Sequence, residues 1–420
     1  MAITEQAGPA SLIVRNARVL GAGSTADLEI VDGRFVAAGT ADPATAEAID
    51  AGGRLCVPGF VEPHIHLDKA LLAGSAPANR SGSLDEAIRI LGERKKSFSS
   101  ADIAERAGRI VRDALAHGVT RIRTHVDIDS GCGLVGFEAM LAVRARFAGL
   151  VELQIVAFPQ RGILGDPGTE TLLRAAMERG ADVVGGMPFN EAGPSASREH
   201  IRIAFDIARE HDADIDMHVD ETDDAGARTL EMLCEATTAN GWQGRVTAGH
   251  ACALAGYPDD YAAHVIEAVA AAGIHVICNP ATNLMLQGRG DPHPRRRGIT
   301  RVQELREAGV NVAFGQDNLR DMFYPFGRAD PLEIALLMAH AAHMGQPDEI
   351  DAVFSMATEG AARVLGATDY GTEPGCAGDL AILDARSPVE AIARQADRLH
   401  VIRRGRVVAR TARTQTVAAP

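Results

Sequence analysis

Between residues 60 and 316 the chain repeats one pattern eight times: a short apolar stretch, then a longer amphipathic or Ala-rich one. The short stretches lie at 60–66, 119–127, 151–158, 182–188, 213–218, 245–250, 273–278 and 310–316. The spacers include helical patterns at 99–117, 169–180, 199–211 and 261–272. A short apolar run without alternation reads as a strand buried on both faces. Such strands, alternating with helices, form a parallel sheet covered by its own crossovers. Eight units in about 250 residues predict an α/β fold of the (β/α)8 TIM-barrel kind. An open doubly wound sheet is the competing fold. The strand count and the lack of a G-x-G-x-x-G turn after any early strand weigh against it.

The two ends of the chain read differently. Strand patterns occupy 11–20 and 28–38, the second broken by Asp32-Gly33, a hairpin turn signal. Further strands are expected at 379–383 and at 400–409, around Gly405. Two β-rich ends predict one small β-sandwich domain built from residues 1–58 and 365–420. The barrel then takes 59–364.

Charge and cysteine usage narrow the function. Asp and Glu number 56 against 42 Lys and Arg, a formal net charge of −14. An acidic surface argues against general affinity for nucleic acid or an anionic membrane. The six cysteines are scattered and form no C-x-x-C pair, which reads as reduced thiols, not a disulfide framework. The opening Met-Ala-Ile-Thr-Glu-Gln has neither a basic segment nor an apolar core, and no apolar run reaches the ~18 residues of a membrane helix. These features predict a cytoplasmic enzyme.

Barrel enzymes place their chemistry at the C-terminal ends of the strands. The first strand ends Pro63-His64-Ile65-His66, the fifth Met217-His218-Val219-Asp220-Glu221, the sixth Gly249-His250 and the eighth Gly315-Gln316-Asp317-Asn318. Strand side chains alternate, so His64 and His66 share a face and Ile65 takes the other. Three imidazoles and a carboxylate make a plausible four-ligand metal site with a position left for water.

The chain resembles the amidohydrolase superfamily, specifically its cytosine deaminase group. The carriers are the segments 57–68 (VPGFVEPHIHLD), 123–127 (RTHVD), 153–160 (LQIVAFPQ), 218–221 (HVDE), 286–289 (LQGR), 296–302 (RRGITRV) and 314–317 (FGQD). The resemblance implies one divalent metal ion, zinc or ferrous iron, held by His64, His66, His218 and Asp317. Strand four ends Gly185-Gly186-Met187-Pro188 without the lysine that bridges two metals in other members, which agrees with a single ion.

The resemblance also assigns roles. Glu221 protonates the ring nitrogen of a heterocyclic substrate, Asp317 carries a proton from water to the leaving amine, and His250 orients the attacking water. Gln160 reads the amide edge of the ring, and Phe323 stands where the group carries an aromatic lid. Asn318 occupies a position at which cytosine deaminases carry a substrate-contacting aspartate, Gln316 replaces their His, and Lys69 is a further difference near the mouth. An amide can donate as well as accept. The expected substrate is therefore a small amino-substituted heterocycle, such as cytosine, 5-methylcytosine or isoguanine, with cytosine itself not preferred.

Hydrolysis of an N-alkylamino triazine of the N-alkyl ammelide type, or of creatinine, is the alternative. An inactive barrel serving as a binding protein would lack one of these groups, and all are present. The Arg295-Arg296-Arg297 run reads as a solvated or subunit-contact loop, which leaves room for a homo-oligomer, and Lys95-Lys96 reads as a helix surface.

Overall fold

The structure is a computed structural model that describes residues 11–21 and 23–418. The opening Met1–Gln6 segment therefore lies outside the described residues. Eight parallel strands run in sequential order around a barrel: Phe60–Ile65, Val119–Asp127, Glu152–Phe158, Val183–Gly186, Asp214–Val219, Val246–His250, His275–Cys278 and Val312–Phe314. Every expected barrel strand is present, with ends shifted by at most two residues. All nine residues of Val119–Asp127 are buried, as a strand covered on both faces requires.

The first and eighth strands close the barrel just beyond the last regular pairing. The His66 N–H donates to Asp317 O at 3.0 Å, and the Asp317 N–H donates to His64 O at 2.8 Å. Three of the four expected metal ligands thus sit on the seam. Gly315 lets the seam close: a Cβ there would lie 2.6 Å from His64 O and 2.7 Å from its Cβ. Gly315→Ala is expected to destabilise the protein by about 1–3 kcal/mol through overpacking. It should also weaken metal retention, because His64 has to move. A thermal melt and a metal assay check this; wild-type values for both would refute it.

The terminal strands form a single hydrogen-bonded sheet of eight. Five come from the N-terminal side (Ser11–Val19, Thr25–Val31, Arg34–Val36, Glu47–Asp50, Leu55–Pro58) and three from the C-terminal side (Leu380–Leu383, Arg398–Arg403, Arg406–Arg410). Asp32 and Gly33 both adopt positive φ, at 48° and 78°, as do Arg404 and Gly405 at the other hairpin. Two successive left-handed residues are what a tight hairpin turn demands. The sheet folds across a core that includes Leu12, Val14, Ile30, Phe35, Leu380, Ile382 and Ile402. The Asp32-Gly33 turn meets the C-terminal strands where the Gly378 N–H, just before Leu380–Leu383, donates to Gly33 O at 2.8 Å. The sandwich is thus one continuous sheet folded over itself.

The C-terminal segment also carries a helix, Pro388–Arg394, that packs on the helices Pro331–Ala341 and Pro347–Ser355. Arg398 ties sheet to barrel. Its guanidinium pairs with the buried Asp330 and donates to His117 O at 2.8 Å.

Candidate active site

The alternation read from Pro63-His64-Ile65-His66 holds. Ile65 enters the apolar core, while both histidines turn toward the strand ends. One ligand atom from each of His64, His66, His218 and Asp317 lies within 4.8 Å of all the others. His66 Nε2 and His218 Nε2 are 3.1 Å apart. Asp317 Oδ1 lies 3.3 Å from His66 Nε2 and 3.5 Å from His64 Nε2. Tetrahedral ligands at about 2.1 Å from one ion stand about 3.4 Å apart, so these separations suit a common cation.

Hydrogen bonding makes the same demand. Both nitrogens of His64, both oxygens of Asp317 and Nδ1 of His66 and His218 are buried without a protein partner. Each orphaned buried polar group costs about 1–3 kcal/mol, and a bound cation removes much of that cost. Burial, with neighbouring positive charge, holds His66 and His218 well below the usual histidine range, so both present lone pairs. Burial opposes ionisation of Asp317, but the imidazoles of His64 and His66 hold its carboxyl well below the usual range. Neutral imidazoles around an ionised carboxylate are the donor set a divalent ion takes.

A second cluster joins the first through Asp317. Glu221, His250 and Asp317 also converge within 4.8 Å, and Glu221 Oε1 is 3.5 Å from His250 Nδ1. Burial, reinforced by the Asp317 charge, pushes the Glu221 carboxyl well above the carboxylate range. The shift favours the protonated form, the form a general acid needs. Burial pushes His250 down to about 3, so it acts as a neutral hydrogen-bonding ring. The side-chain amides of Asn283 and Asn279 bracket it, 3.0 Å from Nδ1 and 3.2 Å from Nε2. His250 and Asp317 both have positive φ, 71° and 63°. Such backbone costs about 1–3 kcal/mol per residue and persists where surrounding structure enforces it. A cavity of about 610 Å³, lined by Asp223, Asn190, Gln287 and Arg289 among others, reaches the edge of the cluster at Glu221.

Gln160 and Asn318, both buried, lie in a polar network around Lys69 and Asp321. Lys69 Nζ lies 2.8 Å from Asp127 Oδ1 and 3.4 Å from Gln160 Oε1. Asn318 Nδ2 donates to Asp321 Oδ2 at 2.9 Å. One of the two Asn318 N–H groups is thereby engaged, and the side-chain oxygen is turned away from Asp321. Phe323 is buried among Leu72, Leu286 and Met322, and its ring centroid is 5.4 Å from Lys69 Nζ.

Lys95 overturns another expectation. It is buried, 2.7 Å from Asp127 Oδ2 and paired with Asp129, whereas Lys96 is exposed. Ala87, Leu91 and Lys95 share one buried face of the helix Leu84–Lys95, and that four-residue spacing is visible in the sequence. Burial alone would lower the ammonium's pKa, but the two aspartates outweigh it and hold Lys95 charged.

Three further groups stand around the cluster with no role read from sequence. His125 stacks 4.1 Å from the His64 ring and lies 3.2 Å from Asp216 Oδ1. Asp216 also accepts from Arg123 at 3.0 Å. Glu62, pushed up to about 8 by burial, accepts from the backbone N–H groups of His64 and Gln316 and ties strand one to strand eight. The position of His125 near the C-terminal end of the second strand is the signal that could have found it.

An eight-stranded parallel barrel with three imidazoles, a carboxylate and a buried acid at its strand ends defines a class of metal-dependent hydrolase. The amidohydrolase family model matches residues 85–409, and the chain belongs to that family. It is 39% identical to 5-methylcytosine deaminase from Klebsiella pneumoniae, whose crystal structure with 5-fluorocytosine superposes with a TM-score of 0.92 over 97% of this chain and 99% of that one. It is 31% identical to N-isopropylammelide isopropyl amidohydrolase of Pseudomonas sp., over 94% of this chain and 96% of the relative. It is 35% identical to a pterin deaminase of Rhizobium rhizogenes, over 92% and 88%. Among the described residues no helix is long and apolar enough to cross a membrane, and all six cysteines are unpaired.

Proposed function

We propose that this chain hydrolyses an exocyclic carbon–nitrogen bond of a small amino-substituted heterocycle and releases ammonia. The observation that carries the reading is the convergence of His64, His66, His218 and Asp317 beside the buried Glu221. The family membership and the deaminases among its relatives support it. His64, His66, His218 and Asp317 hold one divalent ion, and zinc and ferrous iron both suit the donor set. Bound there, the ion supplies a water whose pKa falls from 15.7 to about 7.

The side chains do the rest. Asp317 takes a proton from that water at a carboxylate oxygen and hands it to the departing amine. Glu221 delivers its own proton to the ring nitrogen beside the attacked carbon. His250, its ring fixed between Asn279 and Asn283, is the group that orients the water, its Nε2 exchanging the longer Asn279 contact for it. Gln160 and Asn318 hold the ring, and Phe323 packs against its far side. The functional division is a barrel at 59–364 and a terminal unit from 1–58 and 365–420. A cytoplasmic place in nucleobase metabolism and a homo-oligomer complete the reading.

The relative that acts on N-isopropylammelide favours a second reading, in which the leaving group is an alkylamine. The proton inventory is the same in both. The test is amine and ammonia release from cytosine, 5-methylcytosine, isoguanine, isocytosine, creatinine and an N-alkyl ammelide, with zinc- and iron-loaded enzyme. Asn318 offers a neutral acceptor in place of a charged one, so cytosine is not expected to rank first. Cytosine at the top would refute that ranking, and no release from any ring would refute the hydrolytic reading.

A further inference from the structure

A buried ammonium stands beside the amide assigned to the substrate ring. Lys69 is 0% exposed, and its Nζ reaches Asp127 Oδ1 at 2.8 Å and Gln160 Oε1 at 3.4 Å. It lies 5.6 Å from the ring centroid of Phe158, which itself stacks on His218 at 4.1 Å. The ammonium is therefore next to the metal-binding cluster. An ammonium has three donors and no acceptor. Gln160 thus has one stable amide orientation, oxygen toward Lys69 and NH2 away from it, because the flipped amide would set donor against donor. Lys69 cannot swing aside, since Asp127 anchors it and Lys95 holds Asp127 from its other oxygen. Gln160 Nε2 makes no hydrogen bond among the described residues.

The strand-eight side is fixed in the opposite sense. Asn318 turns its NH2 toward Asp321 Oδ2 and donates one N–H to it, while Asp321 Oδ1 accepts the N–H groups of Phe323 and Tyr324 at 2.8 and 3.0 Å. The Asn318 amide is thereby oriented, and its Oδ1 has no protein partner among the described residues.

We propose that Lys69 is the specificity-setting positioning residue of this site: it locks Gln160 as a hydrogen-bond donor, while Asp321 locks Asn318 as an acceptor, so the site selects amino-oxo nitrogen heterocycles. The ring carbonyl meets Gln160, and an N–H-bearing edge meets Asn318. This rests on the function proposed above and adds the polarity of the ring that function requires. A ring with an amine in place of the carbonyl meets the glutamine NH2 with the lysine charge behind it. A buried polar mismatch of this kind lowers affinity ~10- to 100-fold.

Equilibrium binding of cytosine and 2,4-diaminopyrimidine to the zinc-loaded protein, at a pH where both rings are neutral, tests this. The wild type should bind the diamine at least ~10-fold more weakly. Lys69→Met removes the ammonium and keeps much of the bulk. Gln160 is then free to turn, and the affinity ratio should fall toward one, chiefly because the diamine gains. For rings that are turned over, the change should fall on the KM ratio more than on kcat, whereas a merely structural lysine would weaken both rings alike. Gln160→Glu covers the case in which Lys69→Met fails to fold. It keeps a partner for Lys69 but can only accept, so cytosine should lose at least ~10-fold and the preference should invert. Equal wild-type affinities, an unchanged ratio in folded Lys69→Met, or an unchanged preference in Gln160→Glu would overturn the proposal. Binding is read without turnover. The expected affinity pattern with no amine released from any ring would sink the hydrolytic function alone, and turnover with an affinity ratio near one would sink this inference alone.

Discussion

Glu221→Gln is expected to lower kcat at least ~10²-fold while leaving metal content unchanged. Glutamine keeps the shape and removes the proton carrier. Glu221 is not among the four converging ligands, so the ion should stay. The pH profile gives a second readout. Burial and the Asp317 charge raise the Glu221 carboxyl, so its acid form persists to higher pH than an ordinary carboxyl's and is lost as pH rises through the elevated pKa. Wild-type kcat/KM should therefore fall on the alkaline side, and that limb should be missing from the residual activity of the glutamine variant. Near-wild-type turnover in Glu221→Gln would mean that another group supplies the proton.

Removing the divalent ion with a chelator is expected to cost at least ~10³-fold in turnover, since several kcal/mol of activation depend on an acidified water. Zinc or ferrous iron added back should restore it, and the better metal identifies the ion this site uses. The melting temperature should also drop, because the Asp317 carboxylate and the His64 ring are buried with no protein hydrogen-bond partner to replace the cation. Full activity in protein shown by elemental analysis to be metal-free would refute the site as drawn.

Much of this architecture was legible before any coordinates. The barrel strands were readable because burial on both faces leaves an unbroken apolar run in the sequence. His64 and His66 could be placed on one face because strand geometry has a period of two. The hairpin at Asp32-Gly33 was readable because few residue pairs tolerate two positive φ values. Each of these signals is local. The misreading of Lys95 shows the limit: its charge suggested solvent, while its partners, Asp127 and Asp129, lie more than thirty residues away on another element. His125 was passed over because a lone histidine on a buried strand looks like core until the His64 ring is found 4.1 Å from it.

By itself, then, the sequence determined the number of barrel units, which strand ends carry imidazoles and carboxylates, and the class of chemistry those ends support. Those properties follow from short-range periodicity and side-chain identity. Only the tertiary structure decided how the amides point. Lys69 meets Gln160 across 91 residues of chain, and Asn318 is turned by Asp321 through a loop that no periodicity describes. An isolated amide can present either end at little cost. A fixed charge or carboxylate brought against it by folding removes that freedom.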